Sequence, residues 1–228
     1  MSTNHDHSDT GQDDAAHLLN QSNGKPPSFR ADDCLLGILD NSRNGGDLMQ
    51  LAVPGAGHVI VDFENESFLS DIDSDFDFFC SSPEHVQVKV GSRFELDQSR
   101  PLTEFIWKAA YYGSAGALLE DYNLFDVVEL ERWPNFTRIP HAQCCLPLCS
   151  LLARRASSIS FAHRMLKVPQ ADAMRFYSAA RAAGNLRLIS SQPGRSEGSE
   201  QPDSIQTSQS SSDSSKFWTR LFGRFSGL

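Results

Sequence analysis

Residues 158–189 read SISFAHRMLKVPQADAMRFYSAARAAGNLRLI, and this stretch predicts two consecutive helices followed by a strand. A short helix over 159–166 meets a tight turn at Lys167 and Val168. Pro169 then takes the first position of the second helix, where its missing N–H costs nothing. Gly184 provides a left-handed C-cap, and the alternation after it indicates a strand over 186–189. The buried face of the second helix is predicted from its three-and-four spacing to comprise Ala173, Phe176, Tyr177, Ala180 and Ala183.

Both ends of the sequence are polar, which limits the predicted folded region to about residues 31–189. Residues 1–29 are rich in Asp, Asn, Ser, His and Gln and are predicted to form a disordered arm. Residues 190–215 are dominated by serine and are typical of a flexible linker. The folded region is predicted to comprise an acidic α+β domain over 31–131 and a basic helical domain over 132–189.

The net charge of −9 conceals two halves of opposite sign. Residues 1–131 hold seven Lys and Arg against 24 Asp and Glu, a net charge of −17. Residues 132–189 hold nine basic residues against a single acid, Asp172, a net charge of +8. Such halves can attract each other, or each can bind a partner of opposite charge. The predicted partner of the basic half is therefore an acidic protein surface, on its own N-terminal domain or on another protein.

The first residues, Met-Ser-Thr-Asn-His-Asp-His, have neither the basic region nor the apolar region of a secretory signal. The sequence also has no apolar run long enough to cross a bilayer. These features predict a cytoplasmic location, with a peripheral attachment to the inner face of the membrane as a second interpretation. The five cysteines are then expected to be free thiols, because an odd number fits a disulfide framework poorly.

The acidic domain is predicted to be a small, mainly antiparallel sheet with one helix laid on it. Strands are predicted over 48–53, 58–63, 67–72 and along the alternating valines of 86–90. After Pro101, an amphipathic helix is predicted to end near Gly113 or Gly116. Its apolar face is expected to contain Leu102, Phe105, Ile106, Ala109 and Tyr112.

Two ligand-binding loops are rejected within this domain. Asp71, Asp73 and Asp75 alternate as in a calcium loop, but Phe76 stands where that loop requires Gly, and Ser82 where it requires a bidentate Glu. Residues 54–57 carry two glycines after a strand, but no helix follows whose N–H groups would bind a phosphate. Neither loop predicts a cofactor.

A cluster of His and Cys over 141–149 is the main candidate for a metal site. His141, Cys145 and Cys149 recur at spacings of four, as zinc ligands on one helical face would. Pro147 interrupts such a helix and no Cys-x-x-Cys pair is present, so small buried cysteines are predicted instead. The sequence also lacks paired carboxylates, a nucleophile elbow and a phosphate loop. It therefore predicts no catalytic, cofactor-binding or metal-binding residue, and a protein that is not an enzyme.

Two aromatic residues, Trp133 and Phe136, lie between Arg132 and Arg138. Aromatic side chains flanked by cations can stack on a base or on a guanine nucleotide. They can also form an apolar plug between the two domains, because such side chains usually have one buried end. The plug is the preferred interpretation.

The basic half contains, in order, a helix over 146–153, Ser158 as an N-cap, helices over 159–166 and 170–183, and a strand over 186–189. This order resembles the winged helix-turn-helix superfamily, which is familiar from bacterial transcription regulators. The run Val-Pro-Gln-Ala-Asp-Ala-Met-Arg-Phe-Tyr is similar to the start of the recognition helix in that superfamily. The resemblance implies that the outward positions are Gln170, Ala171, Asp172, Met174, Arg175 and Ser178. The fold serves both DNA binding and protein binding.

Two binding functions follow from these features. The preferred one is a regulatory or adapter protein that docks protein partners through the basic winged-helix-like domain, because Asp172 opposes phosphate contacts and no second wing strand follows Ile189. The alternative is a DNA-binding transcriptional regulator that reads bases with Gln170 and Arg175. The predicted contacts to a partner or a nucleic acid are Arg154, Arg155, Arg164, Lys167, Gln170, Arg175 and Arg181.

Residues 216–228, KFWTRLFGRFSGL, form an amphipathic and basic segment, called the tail below. This segment is too short to span a bilayer. The tail is therefore predicted to lie in a membrane interface or to fill a groove on a partner, with folding back onto its own domain as the alternative. Its predicted anchor residues are Phe217, Trp218, Arg220, Leu221, Phe222, Arg224 and Phe225.

Overall fold

The computed structural model describes residues 26–42, 48–91 and 99–191. Within these ranges the chain forms six α-helices and ten strands, and all but one of the strand pairs are antiparallel. The predicted α+β class is confirmed. The helices are α1 (Leu35–Ser42), α2 (Asp75–Phe79), α3 (Leu102–Ser114), α4 (Cys145–Arg154), α5 (Ile159–Leu166) and α6 (Gln170–Ala182). The strands are β1 (Ser28–Phe29), β2 (Leu48–Val53), β3 (Gly57–Asp62), β4 (Ser67–Ile72), β5 (Gln87–Gly91), β6 (Arg100–Pro101), β7 (Leu118–Leu119), β8 (Val127–Leu130), β9 (Ser157–Ser158) and β10 (Leu186–Ser190).

The acidic half is built on a five-stranded antiparallel sheet with the order β5-β2-β3-β4-β6. The strands predicted for this half are β2, β3, β4 and β5, and each is present. Residues of β2 alternate between half-buried and buried, so Met49, Leu51 and Val53 line one face. Phe68 of β4 joins this face, where its ring meets the ring of Phe105 of α3 at 5.6 Å between centroids. The helix predicted after Pro101 therefore covers the sheet as expected.

The two helices predicted from residues 158–189 are present as α5 and α6. The Ser158 hydroxyl accepts the Phe161 N–H at 3.2 Å, which confirms the predicted N-cap of α5. Lys167 adopts a left-handed conformation in the turn, and Gly184 does so after α6. Pro169 was predicted to be the first residue of α6. In the structure it is the N-cap residue, and α6 begins at Gln170.

A second, three-stranded sheet has the order β10-β8-β9. The strand that leaves α6, β10, pairs antiparallel with β8, which comes from before all three helices of the basic half. The short strand β9, which precedes α5, pairs with the other edge of β8. Within the described residues, the partner of β10 is therefore a strand that lies upstream in the sequence.

The acidic and basic halves share one continuous core in the described part of the chain. Helix α3 lies against α6, and the Trp107 and Phe176 rings meet edge to face at 6.2 Å. All five residues predicted for the buried face of α6 are buried. The core therefore continues across residue 131, the predicted domain boundary.

Several residues assigned to the polar ends join the fold. Strand β1, within the predicted arm, pairs in parallel with β7. At the other end, Ser190 closes β10 and the Ser191 hydroxyl donates to Asp126 at 2.8 Å. Residues 1–25, the remainder of the linker and the whole tail lie outside the described residues. Among the helices of the described ranges, none is long and apolar enough to cross a membrane.

Candidate functional site

Helix α6, the counterpart of the predicted recognition helix, is covered along most of its length. Met174 is 2 % exposed and Ser178 is fully buried, so the prediction that these two positions face outward is wrong. The cause is the packing of the acidic half on α6: the Ser178 hydroxyl accepts the N–H of Leu119, in β7, at 3.1 Å. Gln170 and Ala171, in the first turn, remain exposed.

Arg175, the second residue predicted to read bases, lies at the seam between α6 and α3. Its guanidinium carbon sits 5.4 Å from the centroid of the Tyr111 ring, a cation–π distance. The side chain is only partly exposed. Arg175 therefore contributes to the packing of α3 on α6.

Arg181 is paired inside the fold. Its Nη1 lies 3.2 Å from Oδ2 of Asp126, a carboxylate that is 3 % exposed. The same Nη1 donates to the Tyr177 hydroxyl at 2.9 Å, and that hydroxyl donates to Asp126 at 3.1 Å. Burial raises the pKa of Tyr177, so the phenol keeps the proton that it donates. This chain of bonds ties α6 to the loop before β8.

The other four predicted contact cations, Arg154, Arg155, Arg164 and Lys167, are exposed at the end of α4 and along α5. Within the described ranges, none of the four takes part in an ion pair. Arg164 is held in place by its own helix, because its Nε donates to the Ser160 carbonyl at 2.8 Å and its Nη2 to the Ser160 hydroxyl at 3.0 Å. Their positive charge is therefore not neutralised by a neighbouring carboxylate of the described chain.

Two large apolar side chains lie among these cations. Phe161 is 44 % exposed and Met165, one turn later on α5, is 48 % exposed. We call the group formed by Phe161, Arg164, Met165 and Lys167 the α5 surface. The sequence prediction named the two cations and missed the two apolar residues. Ile159 and Ala162, three apart, mark the buried face of α5, and this spacing is the signal that would have placed Phe161 and Met165 outside.

The aromatic pair near Arg132 is divided between surface and interior. Phe136 is half-buried, and its ring meets the ring of Trp107 at 6.0 Å and that of His141 at 4.9 Å. Trp133 is 55 % exposed and borders a cleft of about 250 Å³. Trp133 and Phe136 were predicted to form an apolar plug between the two domains, and of these two residues only Phe136 packs in this way.

The cysteines of α4 are core residues, as predicted. Cys145 and Cys149 are fully buried, and burial raises the pKa of each thiol to about 12. All five cysteines are free thiols, and Cys80 is the one with an exposed side chain. No three His, Cys, Asp or Glu side chains in the described part of the chain come together as a metal site.

Asp75, one of the alternating aspartates, has a structural partner that the sequence did not reveal. The ammonium of Lys108, on α3, lies 2.7 Å from its carboxylate, and the Lys108 side chain is 4 % exposed. This pair joins α2 to α3 across 33 residues of sequence.

Comparisons with protein-family models, with curated proteins and with solved structures gave no match for this chain.

Proposed function

We propose that this chain is a non-enzymatic adapter that binds an acidic segment of another protein through the α5 surface. The observation that carries the proposal is the exposure of Phe161 and Met165 one helical turn apart, beside two cations without an ion-pair partner among the described residues. Apolar anchors flanked by charge are the usual composition of a binding hot spot.

Burial of the two apolar side chains supports affinity for such a partner. Covering a large apolar side chain contributes about 1.5–3 kcal/mol when it is fully removed from water. Phe161 and Met165 retain close to half of their exposure, so a partner would gain roughly half of that amount from each side chain. Their spacing of one turn matches the spacing of apolar side chains on a partner helix.

Charge supports the choice of an acidic partner. Arg154 and Arg155 extend the positive surface from α5 to the end of α4. The acidic half of the same chain pairs with other cations instead: Asp126 with Arg181 and Glu129 with Arg187. Among the described residues the α5 surface thus has no carboxylate partner, and its charge would accelerate the approach of a separate acidic protein.

Binding to DNA is the competing function, and the burial of α6 weighs against it. A recognition helix must place several side chains in the major groove. Gln170 is exposed, but Met174 and Ser178 are buried and Arg175 stacks on Tyr111. If the chain binds DNA, the exposed cations Arg154, Arg155, Arg164 and Lys167 would contact the phosphates, so duplex DNA is included as a competing ligand.

The tail supports a second attachment, and we include in the proposal that it binds an anionic membrane surface. Its sequence combines large apolar residues with Lys216, Arg220 and Arg224 at spacings of four. Such a segment gains affinity from apolar insertion and from anionic lipid together. An adapter of this kind would bring an acidic partner to a membrane.

A selection of displayed random peptides against the full chain tests the adapter proposal and reports the chemistry of the partner. The selected peptides are expected to carry a net negative charge and apolar residues at a spacing of four. The variant Arg164→Glu/Lys167→Glu should lose these peptides, and Phe161→Ser/Met165→Ser should bind them at least tenfold more weakly. Lys89→Glu, on the distant edge strand β5, is the matched control and should bind as the natural chain does.

Three results would contradict the proposal. These are selected peptides without an acidic bias, equal binding by the charge-reversed variant, and retention of duplex DNA at physiological salt that depends on the same cations. Circular dichroism of each variant establishes that the fold is intact, which is expected because all four side chains of the α5 surface are exposed.

A further inference from the structure

A cleft of about 250 Å³ lies where the start of α3, the segment 132–139 and the end of α6 meet. Its lining includes Trp107 and Ile139, which are 1 % and 7 % exposed. Polar groups converge on it from three elements: Thr103 and Glu104 from α3, Arg138 from the segment, and Asn185 from the chain after α6. Half of the lining residues are polar or charged, so the cleft suits a small ligand that carries polar or charged groups. The volume suits a small ligand that contains one flat ring system.

Trp133 provides a flat apolar surface at the rim of this cleft, with 55 % of its side chain exposed. The backbone around it is fixed. The carbonyl of Asn185 accepts the N–H of Glu131 at 2.8 Å and that of Arg132 at 3.2 Å. The Asn185 side-chain amide donates in turn to the Arg132 carbonyl at 3.2 Å. Because the neighbouring backbone is held in this way, stacking of a planar ligand on Trp133 requires ordering of the Trp133 side chain alone.

The far side of the same segment is also anchored. The Trp107 indole N–H donates to the Pro140 carbonyl at 2.9 Å, and the Arg138 carbonyl accepts Nη2 of Arg100 at 2.9 Å. The segment that carries Trp133 and Arg138 is therefore tied to both α3 and the chain after α6. The backbone positions of the two residues keep a fixed separation across the cleft.

Arg138 supplies positive charge for an anion. Its side chain is 56 % exposed, and its Nη1 is 4.0 Å from Glu104, the limit of an ion pair. Glu104 is already engaged by Arg100, whose Nη2 lies 2.6 Å from Oε2. Two guanidinium groups thus face one carboxylate, which leaves a net positive charge. Arg138 also borders a second, more open cleft of about 770 Å³, whose other charged residues are Arg100 and the paired Lys108 and Asp75.

We propose that this cleft binds a purine nucleotide, with its base stacked on Trp133 and its phosphate at Arg138. Stacking on an exposed aromatic ring is available to every base and is stronger for the larger purine ring system. The phosphate then lies at Arg138, which lines both clefts. The site is separate from the α5 surface and independent of the proposed adapter function.

Titration of the full chain with GMP and AMP, followed by tryptophan fluorescence and calorimetry, tests the proposal. The chain contains three tryptophans, so the measurement uses Trp218→Phe as its background, which leaves buried Trp107 and exposed Trp133 as reporters. Saturable quenching is expected with both nucleotides and weaker quenching with CMP. Trp133→Ala and Arg138→Gln should each weaken binding at least tenfold, whereas Trp133→Phe should retain most of it. Phe125→Ala and Arg155→Gln, exposed residues that do not line the cleft, are matched controls.

Four outcomes would overturn the proposal. The first is the absence of saturable binding at millimolar nucleotide, and the second is an equal loss of nucleotide affinity in the two control variants. The third is an affinity for inorganic phosphate equal to that for the nucleotides, with no effect of Trp133→Ala. The fourth is binding of an RNA oligonucleotide without binding of the mononucleotides. Trp133 and Arg138 are both more than half exposed, so their replacement leaves the core unchanged.

Discussion

Asp126 is the buried charge on which the attachment of α6 to the second sheet depends. Its carboxylate accepts hydrogen bonds from Tyr177 and Ser191 and pairs with Arg181. The sequence prediction placed Arg181 at the surface because it lies in a basic stretch. Its partner is 55 residues away, and no local pattern reveals a pair at that separation.

Replacement of Arg181 by Met is expected to lower the free energy of unfolding by about 3–5 kcal/mol, because Asp126 would remain buried without its cation. Arg187→Met is the matched control. Arg187 pairs with Glu129 at the surface, so its loss should change stability far less. Urea denaturation monitored by circular dichroism measures both. Equal effects of the two replacements would contradict the structural role given to Asp126.

The buried thiols of α4 make stability depend on alkaline pH. The pKa of Cys145 and Cys149 is about 12 in the folded chain and near 9 when unfolded. The unfolded state therefore loses these protons first as the pH rises, and the free energy of unfolding should fall between pH 9 and about 12. Cys145→Ala/Cys149→Ala should flatten this dependence, whereas Cys80→Ala, at an exposed site, should flatten it much less. Chemical denaturation at several pH values provides the measurement, and an unchanged slope in the double variant would show that these thiols do not control it.

At the scale of elements, local pattern predicted helices α3 to α6 and strands β2 to β5, but it missed the helices α1 and α2 and did not predict what covers α6. The spacing of Phe176 and Tyr177 and the glycine after α6 predicted that helix and its end. The burial of Ser178 depends on Leu119 of β7, which lies 59 residues earlier in the chain. The position of β8 between β9 and β10 likewise depends on pairing with strands that lie later in the sequence. Contacts between residues far apart in the sequence do not produce a periodic pattern of apolar residues.

The turn between β2 and β3 offers a matched pair of glycines. Both Gly55 and Gly57 have a positive φ, but a Cβ on Gly55 would meet open space, whereas one on Gly57 would overlap the Asp71 carbonyl oxygen. Gly55→Ala should cost about 1 kcal/mol of stability from backbone strain alone. Gly57→Ala also displaces β4 and should cost about 2 kcal/mol more, as overpacking does. Thermal and urea unfolding of the two variants compares them directly, and similar values would argue against the close approach of β3 to β4.

On the scale of the whole molecule, only some cations of the basic half pair with carboxylates of the acidic half. Arg181 and Arg187 pair with acids of the N-terminal half, while the cations of α4 and α5 do not pair within the described residues. The sequence composition predicted that the surface of the basic half carries a positive charge. It could not show which cations are used internally, because that depends on the three-dimensional pairing of both halves.

The tail leads to a prediction for the full chain. A variant that ends at Ser215 should unfold at the same urea concentration as the full chain and should no longer sediment with anionic lipid vesicles. Lys216→Gln/Arg220→Gln/Arg224→Gln should weaken sedimentation while retaining the apolar residues, because part of the affinity is electrostatic. Unchanged sedimentation of the shortened variant, or no sedimentation of the full chain, would rule out membrane attachment by the tail.

Hydrogen exchange of the full chain, with and without an acidic peptide obtained from the display selection, tests the central claim most directly. We expect slower exchange of amides over Ile159–Leu166 and the adjoining turn when the peptide is bound, with no change in β5. Protection confined to β5, β10 or the first turn of α6, with α5 unchanged, would contradict the assignment of α5 as the partner-binding surface.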